Sequence, residues 1–271
     1  MHDAATVLLL RDRPISGFEV LLVRRHGKSG FMAGAHVFPG GKLDAADAAP
    51  ALASLASGLD SAQAARLLGE PELSAQTALA LFVAAARETF EEVGVLLGPQ
   101  ADASKLDAAR AELRAGAAFA DVLAARALSL QLDRVVPFSR WITPAVEPRR
   151  FDTRFFVAQV PPDQQADHDR HETTEHVWMS PAQALAATGA GSMLLPPPTL
   201  KTLLDLSGFE RAEQVLDEAR RRPPPRVAPV IEQVDDKLTV VLPGDPLHPE
   251  PAQALPGATR IVLENGRFWA R

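Results

Sequence analysis

The chain of 271 residues is 46% apolar and 23% charged, with a formal net charge of −6, a composition that supports a globular core. It has no lysine- or arginine-rich block, which argues against a protein that wraps a nucleic-acid backbone, because such binding runs on clustered cations. There is no cysteine, so disulfides, thiolate zinc sites and cysteine nucleophiles are excluded.

The first ten residues carry Asp3 and a short apolar run and do not read as a signal peptide. No stretch nears the roughly 20 apolar residues of a membrane span. The expectation is a cytoplasmic protein with a small-molecule partner and neither nucleic acid nor membrane. Oligomeric state is left open, a homodimer being one arrangement compatible with the chain.

In chain order, residues 5–10 and 19–24 read as strands around a turn at Arg13-Pro14 and Ser16-Gly17. A glycine-rich loop runs from 27 to 41 and contains Phe38-Pro39-Gly40-Gly41. Residues 45–74 are alanine-rich, with two short helices broken near Ser57-Gly58 and Gly69-Glu70-Pro71. The spacing of Leu79, Val83, Ala86, Phe90 and Val93 predicts a helix over 75–93 with one apolar stripe, ended by Gly94. Helices at 104–115 and 118–127 follow, then strands at 134–142, 153–160 and 176–179, then a helix after Ser180-Pro181. Beyond Gly191, two proline triplets bracket a leucine-bearing helix, and short strands fall at 237–242 and 260–263. The division expected is a main domain over 1–190, with a helical insert at about 45–78, and a C-terminal extension over 191–271 that is either a subdomain or a cover on the main sheet.

The chemistry concentrates on the 75–93 helix. Glu88, Glu91 and Glu92 share the face opposite the apolar stripe, at spacings where like charges repel by roughly 0.2–0.5 kcal/mol per pair. They also crowd the helix C-terminus, where the macrodipole disfavours negative charge. An arrangement costly in two ways points to a compensating cation, and hard carboxylate oxygens favour Mg²⁺ or Mn²⁺ over zinc. Arg87, four residues before Glu91, is placed to hold that carboxylate. The competing reading is a solvated helix face with one ion pair.

Together with Gly40-Gly41 upstream, these residues resemble the Nudix box, G-x5-E-x7-R-E-U-x-E-E-x-G-U with U aliphatic. Its second half reads Arg87-Glu88-Thr89-Phe90-Glu91-Glu92-Val93-Gly94-Val95, and its first half runs from Gly41 to Asp47. Asp47 replaces the first glutamate and Thr89 the first aliphatic. Residues 48 through 86 separate Asp47 from Arg87, where the box has seven. This split is similar to the branch of Nudix hydrolases with a long insert in the box, which includes the animal peroxisomal coenzyme A diphosphatase. The segments from Phe31 to Gly41 and from Arg150 to Phe156 are similar to it as well.

The resemblance implies an α/β/α sandwich around a mixed sheet. It implies a metal held by Glu88 and Glu92, with Glu91 assisting and the Gly40 carbonyl completing the site, and hydrolysis of a diphosphate in a nucleotide metabolite. Coenzyme A-cleaving members carry a further pattern before the box, with which Leu21, Leu22, Arg25, Gly34 and Phe38 to Gly41 are in register, while Val23, His26 and Gly30 depart. Arg25, Lys28, Arg150 and Arg154 are the candidate substrate cations. Coenzyme A or acyl-coenzyme A is the first substrate reading and NADH or ADP-ribose the second; a nucleotide-binding module that does not cut is the alternative of another class. The general base of such enzymes comes from a loop before a Trp-bearing strand, which here nominates Glu175 and Glu172 ahead of Trp178. His168, His171, Glu172, Glu175 and His176 also read as a transition-metal cluster or as a plain polar loop.

Overall fold

The computed structural model describes residues 1–25, 32, 34–166 and 173–271. The chain opens with β1 (His2–Asp12) and β2 (Phe18–Arg25), joined by a tight turn at Gly17, and continues through β3 (His36–Val37) and β4 (Gly40–Lys42). The insert is a 3₁₀ turn (Ala45–Ala48), α1 (Pro50–Ser54), β5 (Ala56–Ser57) and α2 (Ser61–Leu68). Then comes α3 (Ala75–Val93), capped by the Ser74 hydroxyl accepting from the Thr77 N–H and closed by Gly94 in the left-handed region at φ 73°. Next are α4 (Ala103–Arg114), α5 (Phe119–Ala125), β6 (Leu130–Gln131), β7 (Val136–Ile142), β8 (Phe151–Gln159), β9 (Thr173–Met179) and α6 (Pro181–Ala190). The C-terminal part supplies α7 (Pro197–Leu206), α8 (Ala212–Arg221), β10 (Arg226–Val227) and a meander of β11 (Val230–Val234), β12 (Lys237–Val241), β13 (Arg260–Glu264) and β14 (Arg267–Ala270).

The main sheet runs β10-β7-β8-β1-β2-β3, with β4 paired to β1 and β9 to β2. It is mixed, because β1 and β8 run parallel while β1 pairs antiparallel with both β2 and β4. Strand alternation sends side chains to two cores. Ala5, Val7 and Leu9 of β1 meet α3 together with the insert, α4 and α5. Leu8 and Leu10 meet α6, α7, α8 and the meander on the other face. The result is the expected α/β/α sandwich. The residues after Gly191 cover the main sheet instead of standing apart from it, since Leu200, Leu203, Val215, Leu242 and Ile261 share one core with β1 and β2.

One correction concerns α3. Periodicity predicts one apolar stripe, but residues on almost every side of the second half of the helix are buried, because the insert and α4 cover what the sheet does not. Phe82 of α3 packs on Phe156 of β8 with ring centroids 4.9 Å apart, a tilted aromatic contact worth about 0.5–1.5 kcal/mol beyond its area. Thr89 is fully buried, and its hydroxyl donates to the Ala85 carbonyl at 2.8 Å. That bond lets a polar side chain stand where the pattern has an aliphatic one.

Candidate active site

Backbone geometry fixes the first half of the site. Gly40 sits at φ 152°, and a Cβ there would run into the Ala5 carbonyl. At Gly41 a Cβ would fall inside the Glu88 carboxylate. Glycine is thus required at Gly40 by conformation and backbone contact, and at Gly41 it leaves the room that the Glu88 carboxylate occupies. The Gly40 N–H donates to Glu92 Oε2 at 3.0 Å, so β4 and α3 are tied at the point where the carboxylates lie.

Arg87 organises the second half. Its Nε donates to Asp47 Oδ1 at 2.7 Å and its Nη2 to Asp47 Oδ2 at 3.0 Å. Its Nη1 donates at 2.9 Å to both Glu88 Oε1 and Glu91 Oε2. Burial works against the arginine's charge, but the hydrogen bond to Asp47 and the neighbouring carboxylates of Glu88, Asp47 and Glu91 outweigh it and raise its pKa above the ordinary value. Asp47 itself is buried in the 3₁₀ turn, where its carboxylate accepts from the Asp44 N–H at 2.8 Å. The insert therefore carries the shortened acidic residue back onto Arg87, across the split in the box.

Glu91 is the most open of the three helix carboxylates, at 35% side-chain exposure against 13% for Glu88. Glu92 is buried, not on an exposed face. As they stand, the carboxylates are distributed between Arg87 and the Gly40 N–H, and among the described residues no group of three potential ligands converges on one point. Glu88 and Glu92 present oxygen donors at the Gly40–Gly41 cradle and Glu91 stands beside them on Arg87, a donor set of the kind a hard divalent ion takes.

The other predicted residues separate. Leu21 and Val23 of β2 enter the core on the α3 side and Leu22 the opposite core. Alternation therefore puts Arg24 on the side away from α3, while half-buried Arg25 follows it where the β2–β9 register shifts. Glu175 pairs with Arg24 in register, with Nη1 to Oε2 at 3.7 Å, so its carboxylate lies on the face away from α3. His176, opposite Val23, takes the α3 face. Adjacent strand residues pointing to opposite faces cannot join in the metal cluster suggested by their spacing. Lys28, Glu172, His168, His171, His26 and Gly30 lie outside the described residues.

Arg150 is half-buried and its Nε donates to the Thr143 carbonyl at 3.2 Å. Arg154 does not face a cleft. It is buried, with Nε donating to Glu70 Oε1 at 3.0 Å and Nη2 to Glu70 Oε2 at 2.5 Å, and it also pairs with Asp3. Arg140 extends this cluster to Asp152 and Glu72. The sequence offered Arg154 as a substrate cation; the structure commits it to anchoring the insert.

Sequence reasoning passed over Arg110. It is buried, and its Nη2 donates to the Glu92 carbonyl at 2.7 Å. The available signal was a lone charge inside the buried stripe of α4, with Leu106 and Ala109.

A sandwich with its carboxylates on a loop–helix unit is the arrangement of the Nudix class. The family model described as NUDT19 Nudix domain matches residues 1–206, and the chain belongs to that family and is a Nudix hydrolase, an enzyme acting on diphosphate linkages. Among curated relatives, the acyl-coenzyme A diphosphatase NUDT19 of Xenopus laevis is 28% identical, over 92% of this chain and 76% of that protein. The human protein of the same name is 29% identical, over 96% of this chain and 82% of its own length. A crystal structure of a NUDIX hydrolase from Alicyclobacillus acidocaldarius is 30% identical, with a TM-score of 0.66, and covers 80% of this chain and 96% of that one. Among the described residues no helix is long and apolar enough to cross a membrane.

Proposed function

We propose that the enzyme hydrolyses the diphosphate of coenzyme A or acyl-coenzyme A, giving 3′,5′-ADP and 4′-phosphopantetheine or its acyl form, with Mg²⁺ or Mn²⁺ as cofactor. The observation that carries the reading is the glycine cradle at Gly40–Gly41 closed over the carboxylates of Glu88 and Glu92. The substrate reading is supported by the names of the curated relatives and by Leu21, Leu22, Arg25, Gly34 and the Phe38 to Gly41 run.

Glu88, Glu92, the Gly40 carbonyl and Glu91 would hold the ion. When bound, such an ion neutralises charge on the bridging phosphates and makes the attacking water more acidic. Glu91, the most open carboxylate, takes the water proton, and Arg87 holds it in place. Glu172 stays a second candidate for this role, while Glu175 faces away from α3. The water oxygen bonds to one phosphorus, the P–O bond to the bridging oxygen breaks, and that oxygen leaves on the other phosphate. Arg25, at the end of β2, is the preferred contact for the 3′-phosphate; Lys28 and Arg150 are further contacts for the substrate's phosphates.

The test compares kcat/KM for coenzyme A, 3′-dephospho-coenzyme A, NADH and ADP-ribose under one Mg²⁺ condition, with products identified by mass spectrometry. A clear preference for coenzyme A is expected. Equal or better turnover of NADH or ADP-ribose overturns the substrate reading.

A further inference from the structure

We propose that Arg110, outside the box, is a positioning residue for the catalytic carboxylates. This rests on the metal-site reading above. The last turn of a helix leaves carbonyls without intrahelical partners and carries the negative end of the dipole. In α3 that turn also holds Glu91 and Glu92, so negative charge accumulates there with no basic residue in the turn itself.

The Gly94 N–H satisfies only the Phe90 carbonyl, at 3.0 Å. Arg110 reaches the next two. Its Nη2 donates to the Glu92 carbonyl at 2.7 Å, and its Nε and Nη2 each approach the Glu91 carbonyl at 3.4 Å. A Cβ at Gly94 would stand 2.9 Å from Arg110 Nη1 and 3.2 Å from its Cζ, so the glycine that ends the helix also makes the slot for the guanidinium. A planar fork serves two adjacent carbonyls in a way that a lysine ammonium does not.

Glu92 is thereby fixed at both ends, its carbonyl by Arg110 and its carboxylate by the Gly40 N–H. Glu91 is fixed likewise, by Arg110 at the backbone and by Arg87 at the carboxylate. Arg110 thus sets where the two side chains start, and Arg87 and Gly40 set where they end.

The experiment titrates Mn²⁺ by electron paramagnetic resonance into the full-length protein and into two variants, with kcat, KM and Tm measured beside it. Arg110→Lys keeps the charge and loses the fork. It is expected to bind Mn²⁺ about tenfold more weakly, the usual scale for removing a group that orients a metal ligand, and to lose kcat with little change in KM. Leu106→Ala, from the same buried stripe, loosens α4 without touching the carbonyls. It is expected to lower Tm and leave Mn²⁺ affinity near that of the parent protein. If Arg110→Lys binds Mn²⁺ as the parent does, or Leu106→Ala weakens binding as much, Arg110 is an ordinary helix cap and the proposal is overturned. Failure of the parent protein itself to bind Mn²⁺ overturns the metal-site reading beneath it.

Discussion

Asp47 and Arg87, forty positions apart, form a two-armed ion pair at 2.7 and 3.0 Å, with the Asp47 side chain fully buried. The pair closes a motif that the chain itself has opened by a helical insert. Removing the Asp47 carboxylate strips both of these bonds from a buried Arg87 that keeps Glu88 and Glu91, a loss of about 1.5–3 kcal/mol. Asp47→Ala should therefore lower Tm strongly. It should also reduce kcat, because Arg87 Nη1 positions Glu88 and Glu91. Restoring the pattern's glutamate by Asp47→Glu is expected to destabilise as well, by about 1–3 kcal/mol, since an extra methylene must enter a filled site. Thermal unfolding and steady-state kinetics check both; an Asp47→Ala protein with native Tm and kcat would remove Asp47 from the account.

Arg154 separates two roles cleanly. Arg154→Ala removes one of the two guanidiniums that Glu70 and Asp152 share, Arg140 keeping its ion pairs to both, a loss of about 1.5–3 kcal/mol. The expected result is a fall in denaturation midpoint with KM for coenzyme A nearly unchanged in the folded fraction. A raised KM at native stability would return Arg154 to the substrate.

Arg25→Ala should act in the opposite sense. Loss of a charged hydrogen bond to the 3′-phosphate is worth about 1.5–3 kcal/mol. The preference for coenzyme A over its 3′-dephospho form should shrink by roughly ten- to a hundredfold, while Tm holds. An unchanged ratio would place that phosphate elsewhere.

His36 gives the fold a pH dependence. It is buried beside Arg24 and Glu175, and its pKa is held below the ordinary 6.5, first by burial, with Glu175 opposing and Arg24 reinforcing the shift. Below 6.5 the unfolded chain takes up a proton that the folded chain does not, so stability falls as pH drops from 6.5 toward the folded pKa and is unaffected above 6.5. His36→Gln should flatten the Tm profile in that window. A variant with the same slope as the parent would assign the dependence to other groups.

Much of this was readable before the structure. The stripe of α3 and its terminal Gly94 located the helix, and the spacing of Glu88, Glu91 and Glu92 put three carboxylates together. What escaped the sequence depends on the third dimension. Periodicity marks one buried side of α3, but the insert and α4 bury more of it, including Glu92. A basic residue such as Arg154 reads alike whether it meets a phosphate or Glu70, because the partner lies 84 positions away. Glu175 and His176 read as one cluster until the register of β9 with β2 assigns them to opposite faces. The strands β10, β11 and β14 are short, and their pairing depends on the sheet they join more than on their own pattern.

The central claim is that the α3 carboxylates at the glycine cradle perform metal-dependent diphosphate hydrolysis. Glu92→Gln addresses it most directly, because the amide oxygen still accepts from the Gly40 N–H while the charge is gone. The measurement is the rate of 3′,5′-ADP release from coenzyme A with saturating Mg²⁺, at a protein concentration where Tm matches the parent. The account predicts a loss of several orders of magnitude. Turnover close to that of the parent would contradict it.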